Sequence, residues 1–207
     1  MARLTGSPAM KGHIGRMHKL FNAAAQLFRR FCAPGMALFL AFAQPVTAQE
    51  PPTILALGDS LTAGYGLAEP DIFPVRLEAA LKDAGTPASV INAGVSGDTT
   101  AGGLARLDWL IADKAPDVLL IELGGNDGLR AIDPKSTRAN VEAIIAKGKA
   151  AGSVILLTGM LAPPNLGREY EQEFNAIFPD LAAKHDVLFY PFFLEGVAAD
   201  RALNQPD

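Results

Sequence analysis

Three short polar segments carry residues suited to acyl transfer: Gly58-Asp59-Ser60-Leu61, Ser96-Gly97-Asp98-Thr99 and Gly124-Gly125-Asn126-Asp127. A serine hydroxyl attacks a carbonyl carbon when a base takes its proton and donors await the charge that develops on the carbonyl oxygen. Ser60 follows an apolar run, residues 53–57. At such a strand-to-helix junction its hydroxyl stands at the sheet edge and its own N–H turns toward the oxyanion. Gly97, with no side chain, lets its backbone N–H approach a reacting carbonyl, and the Asn126 amide offers a third donor. Losing one such donor costs about 2.7–4 kcal/mol of transition-state stabilisation. Each residue also has a plainer role open to it: Ser60 as a helix cap, Gly97 as a turn glycine, Asn126 as a brace for its own loop.

These segments need a scaffold that brings them to one edge. Five β-rich runs, residues 53–57, 88–92, 118–123, 154–158 and 187–190, are continuous rather than alternating in hydrophobicity, as strands buried on both faces of a parallel sheet read. Between them, Phe73-Leu77-Leu81-Ala84, Leu104-Leu107-Leu110-Ile111, Val141-Ile144-Ile145-Gly148 and Tyr170-Phe174-Ile177-Phe178-Leu181 are spaced as single helix faces. Thr137 is expected to cap the third of these helices, after the Asp133-Pro134 turn. Alternating strands and helices predict an α/β fold, a doubly wound parallel sheet in three layers. In such sheets ligands sit outside the carboxyl ends of the strands, where all three polar segments fall.

Three blocks in this order, each after a predicted strand, resemble the SGNH (GDSL) hydrolases. The surrounding text, including Leu61-Thr62-Ala63-Gly64-Tyr65-Gly66 and Gly102-Gly103-Leu104-Ala105-Arg106-Leu107, is similar to the periplasmic thioesterase, arylesterase and lysophospholipase branch. The resemblance runs from about residue 53 to 207. It implies a five-stranded flavodoxin-like sheet and a serine ester or thioester hydrolase with Ser60 as nucleophile and oxyanion donor and Gly97 and Asn126 as further donors. It also implies a late Asp-x-x-His block carrying the base. Asp207 matches the aspartate of that block, and the sequence ends there. The expectation is therefore that the complete gene product is active, while these 207 residues lack the base and the final helix and are nearly inactive. His13 and His18 precede the domain, and His185, at a helix end, is expected about 15 Å from the crevice at ~3.3 Å per strand residue. Two alternatives keep the same scaffold: a non-catalytic ligand-binding remnant and a carbohydrate O-acetylesterase.

Composition narrows the partners. Residues 1–48 hold six Lys or Arg and no acid, then an apolar stretch at 31–43 and small residues at Val46 and Ala48, the pattern of a signal peptide for export to the periplasm. That stretch is shorter than the ~20 residues of a stable membrane span. Residues 49–207 form the expected hydrolase domain, in which 12 basic residues face all 22 acidic ones, a balance of −10 that repels nucleic acid. Cys32, the one cysteine, lies in the targeting segment, and the three histidines lack metal-ligand spacing, so neither metal nor cofactor is expected. The position two after Ser60 is Thr62, not the glycine of an α/β-hydrolase elbow, and there is no phosphate-loop Gly-Lys-Ser/Thr run. After the fourth run, Met160-Leu161-Ala162-Pro163-Pro164-Asn165-Leu166-Gly167 is an apolar, proline-stiffened loop, with Leu161, Pro163, Asn165 and Leu166 expected to line an acyl pocket for a small ester or thioester. A plain connecting loop is the alternative there.

Overall fold

Five parallel strands form one sheet in the order β2-β1-β3-β4-β5: β1 (Thr53–Gly58), β2 (Ser89–Gly94), β3 (Val118–Glu122), β4 (Val154–Thr158) and β5 (Leu188–Tyr190). The computed structural model describes residues 50–198 and 200–204. The targeting segment at 1–48 and Asp207 lie outside the described residues. Helices occupy the connections: α1 (Ser60–Ala63) and α2 (Phe73–Asp83) follow β1, α3 (Thr100–Lys114) follows β2, α4 (Gly125–Leu129) and α5 (Pro134–Ala150) follow β3, and α6 (Arg168–Asn175) and α7 (Ile177–His185) follow β4.

The chain steps one way from β1 to β2 and the other way from β2 onward, so right-handed crossovers put α2 on one face and α3, α5 and α7 on the opposite one. Strand alternation agrees with this. Leu55, Leu57, Leu119, Ile121, Ile155 and Leu157 point into a core closed by Leu107, Val141, Ile144, Ile145, Phe174, Phe178 and Leu181. The intervening Ile54, Ala56, Leu120 and Leu156 face the other side and are equally buried. Hence the central strands β1, β3 and β4 show no polar face, whereas the edge strand β2 leaves Ser89 and Asn92 exposed, a departure from the expectation of burial on both faces.

Local chemistry sets the helix ends. Asp133, not Thr137, caps α5: its side chain accepts from the Lys135 N–H, and Pro134 takes the first helical position, where no N–H is needed. Thr137 instead lies buried one turn inside and donates to Asp127 Oδ1 at 3.1 Å, a correction to the sequence expectation. The apolar face running from Tyr170 to Leu181 is split between α6 and α7 at Ala176. Pro179 cannot donate to the carbonyl of Asn175 four residues earlier, and its ring crowds that group, which ends the first helix there.

Candidate active site

The loops after β1, β2 and β3 converge where the strand order reverses, between β1 and its neighbours. On the first loop Asp59, not Ser60, caps α1, accepting from the Leu61 N–H at 3.0 Å. Ser60 is therefore the first residue of the helix, where a backbone N–H has no intrahelical acceptor. Its half-buried hydroxyl has no hydrogen-bond partner among the described residues. A Cβ at Gly58 would overlap Thr62 Oγ1 and Glu122 Oε2, so only glycine lets the chain turn this tightly beneath the serine.

On the second loop, Val95-Ser96-Gly97-Asp98 is a turn closed by the Asp98 N–H donating to Val95 O at 3.0 Å. Gly97 has φ +84° and Ser96 does not share the positive sign, which makes the turn type II. The middle peptide, the one that carries the Gly97 N–H, has no acceptor for it among the described residues. The following carbonyl, Gly97 O, accepts from Arg130 Nη2 at 2.9 Å.

On the third loop, Gly124 at φ +115° turns the chain from β3 into α4, which presents Asn126. The Asn126 amide donates to Asp59 Oδ2 at 3.0 Å and to Asp98 O at 2.9 Å, so one side chain ties all three loops together. Both amide hydrogens are engaged in this state, which is the bracing arrangement. A second strut crosses the same gap: Arg106 on α3 donates through Nε to Asp98 Oδ2 at 2.7 Å and through Nη2 to Gly58 O at 3.1 Å.

Carboxyl groups underlie the crevice. Asp59 is buried, and the loss of water pushes its carboxyl above the ordinary range against the pull of the Leu61 N–H and Asn126. Glu122, at the end of β3, is held well above that range by burial first and the neighbouring Asp59 second. Asp127, fully buried, accepts from the Thr100 N–H at 2.9 Å, from Thr100 Oγ1 at 2.5 Å and from Thr137 Oγ1 at 3.1 Å.

Of the loop after β4, Leu161 and Asn165 are exposed, while Pro163 and Leu166 are half-buried. A Cβ on Gly128 would stand 3.2 Å from Pro163 Cδ, so this loop abuts the helix that carries Asn126. His185 is the last residue of α7 and pairs through Nε2 with Glu142 Oε1 at 2.9 Å, away from the three loops. Sequence reasoning singled out neither Arg106, Arg130 and Glu122 nor the wiring of Asp59, Asp98 and Asp127. A charged residue inside an apolar strand, Glu122, was the one available signal. Among the described residues no cluster of His, Cys, Asp or Glu could hold a metal ion, and no helix is long and apolar enough to cross a membrane.

A five-stranded parallel sheet with a serine at the end of its first strand and amide donors on the next two loops defines an SGNH-type ester hydrolase. The chain belongs to the GDSL-like Lipase/Acylhydrolase family, which residues 56–207 match. It is 41% identical over 155 residues to esterase TesA of Pseudomonas aeruginosa, covering 75% of this chain and 77% of that one. Over 145 residues it is 43% identical to thioesterase 1/protease 1/lysophospholipase L1 of Escherichia coli, covering 70% and 68%. Among solved structures, the SGNH-hydrolase family esterase AlinE4 superposes with a TM-score of 0.74 at 48% identity, covering 76% of this chain and 85% of that one.

Proposed function

We propose that this protein cleaves carboxylic esters and thioesters through an acyl-enzyme on Ser60. Ser60 Oγ bonds to the acyl carbon while a base takes its proton, and the bond to the alcohol or thiol breaks as the base protonates the leaving group. Water then repeats the sequence on the acyl-serine, releasing the carboxylic acid and restoring Ser60. The oxyanion in both steps is met by the N–H groups of Ser60 and Gly97 and by Asn126. The observation that carries this reading is the Asn126 amide, bonded at once to the loop of Ser60 and the loop of Gly97. Transferring one of its hydrogens from the neutral Asp98 carbonyl to an oxyanion gives an interaction that strengthens as charge develops, which favours the transition state over the bound ester.

Asp207 orients the base, a histidine three residues beyond it in the Asp-x-x-His arrangement that the family resemblance implies. Leu161, Pro163, Asn165 and Leu166 line the acyl side, and the names of the relatives point to aryl esters, acyl thioesters and lysophospholipids as substrate classes. Residues 1–48 are a signal peptide removed near Ala48, which delivers the hydrolase domain of residues 49–207 to the periplasm.

The test is to treat the full-length gene product with a fluorophosphonate and locate the adduct by peptide mass spectrometry. The adduct is expected on Ser60, and Ser60→Ala is expected to lower aryl-ester kcat by roughly 10⁴–10⁶-fold. An adduct elsewhere, with Ser60→Ala retaining activity within tenfold, overturns the assignment.

A further inference from the structure

Beneath the serine lies a carboxyl that the hydrolysis itself does not use. Glu122 is fully buried at the last position of β3, in register with Gly58 of β1. Its Oε2 accepts from Thr62 Oγ1 at 2.6 Å and from the Asp59 N–H at 3.3 Å. These two groups stand one residue before and two residues after Ser60. Its Oε1 is buried with no hydrogen-bond partner among the described residues. Gly58 leaves the space that this contact needs, since a Cβ there would overlap both Thr62 Oγ1 and Glu122 Oε2.

We propose that Glu122 is the positioning residue of the nucleophile: a buried carboxyl whose single engaged oxygen grips the turn on both sides of Ser60 and so sets where Oγ and the Ser60 N–H point. This rests on Ser60 being the nucleophile.

Three observations favour it over a role in stability alone. An apolar side chain would fill the same place in a strand that is otherwise Val, Leu and Ile, without burying a polar atom that has no partner. Of the two oxygens, the one that is satisfied is the one bonded to the serine turn, and the other has no partner among the described residues. The proton that keeps the group uncharged has a place to go: carried on Oε1, it leaves Oε2 free to accept from both Thr62 Oγ1 and the Asp59 N–H. Burial and the adjacent Asp59 both favour that protonated form.

The experiment compares Glu122→Gln and Glu122→Met in the full-length gene product. It reads kcat and KM on an aryl ester, the rate of Ser60 labelling by a fluorophosphonate, and folding by circular dichroism at the assay temperature. Glutamine keeps an uncharged acceptor at the same reach; methionine keeps the volume and loses the grip. The expected result is that methionine lowers kcat and the labelling rate at least tenfold with KM within twofold, and that glutamine stays within threefold of the wild type on every reading. A folded methionine variant that loses less than tenfold, or a glutamine variant that falls as far as methionine, overturns the proposal. If the methionine variant does not fold, Thr62→Val releases the turn from the other partner, and an unchanged kcat in that variant overturns it equally. Difference infrared spectra between the wild type and Glu122→Gln at neutral pH are expected to show the carbonyl stretch of a protonated carboxylic acid; a carboxylate band instead overturns it. Ser60 labelling in the wild type separates the two readings, because a wild type that is not labelled there sinks the nucleophile assignment, whereas a labelled wild type with unaffected variants sinks only the role of Glu122.

Discussion

Replacing Gly97 by alanine separates a turn glycine from an oxyanion donor. The added Cβ would stand 3.5 Å from Arg130 Nη2, an ordinary contact, so sterics do not decide the outcome. Backbone conformation does: an L-residue at φ +84° loses about 1–2 kcal/mol relative to glycine. The turn escapes that strain by passing from type II to type I, which rotates the middle peptide by roughly 180° while keeping its flanking residues and the Asp98 N–H to Val95 O bond in place. The flanks are well anchored, since Arg106 holds Asp98 and Arg130 holds Gly97 O, so the middle peptide is the part free to turn. It is also the peptide that bears the Gly97 N–H. Gly97→Ala is therefore expected to lower the thermal midpoint by only about 2–8 °C, from ~1–2 kcal/mol in a domain of this size. Its kcat should fall about 10²–10³-fold, the loss of one donor at ~2.7–4 kcal/mol, with KM little changed. Steady-state kinetics on an aryl ester alongside a calorimetric melt measure both. A kcat within tenfold of the wild type, accompanied by the same modest melt shift, would leave Gly97 as a turn residue and remove its N–H from the mechanism.

Arg106→Gln removes both bonds of the strut and leaves the Asp98 carboxylate, only 18% exposed, without its cation. A stability loss of about 1.5–3 kcal/mol by urea unfolding and at least a tenfold fall in kcat are expected, and a stability change under ~0.5 kcal/mol would show that the pair holds nothing in place. For the pH dependence the sign follows from where the protons sit. Glu122 and Asp59 bind protons more tightly when folded than when unfolded, so stability falls as pH rises past the ordinary carboxyl range of about 3.9–4.3. Glu142, held low by Lys184 and His185, works in the opposite direction and loses its contribution as pH falls. Urea midpoints measured across pH are expected to decline less steeply above this range in Glu122→Gln than in the wild type; parallel curves would mean that Glu122 does not keep its proton.

The sheet was legible because its central strands β1, β3 and β4 are buried on both faces and so appear as apolar runs, whereas the edge strands β2 and β5 are only partly buried. The observed ends differ by a residue or two where pairing extends a strand, as when Gly58 and Gly94 come into register. Helices α1 and α4 were not legible, because four or five residues cannot display a 3.6-residue period. The break at Ala176 was written in Pro179 but masked by the continuous apolar face around it. In the site, the three blocks marked the loops but not what joins them. Arg106 bonds to Gly58 across 48 residues of sequence, and no local pattern encodes that partnership. Thr137 misled because its type suits a cap; its hydroxyl is used instead on Asp127, a buried carboxylate whose needs appear only once α4 and α5 are packed.

A crevice meant to stabilise an oxyanion stands here on four acidic residues, Asp59, Asp98, Glu122 and Asp127, an arrangement that opposes the reaction if their charges act upward. The hydrogen bonds turn each of them aside. Asp98 is neutralised by Arg106 at 2.7 Å. Asp127 is turned away from the crevice by three donors from Thr100 and Thr137. Burial and Asp59 push the Glu122 carboxyl well above the ordinary range, toward its uncharged form, and Asp59 is shared between the α1 cap and the Asn126 amide. What remains facing the reacting carbonyl is a set of N–H groups whose directions those same acids fix. The carboxyls thus serve as anchors for donors rather than as charges. A variant that removes the acid of Asp59, Asp98 or Asp127 is accordingly expected to reduce activity even though it lowers the local negative charge, the opposite of what a purely electrostatic reading of the composition would give.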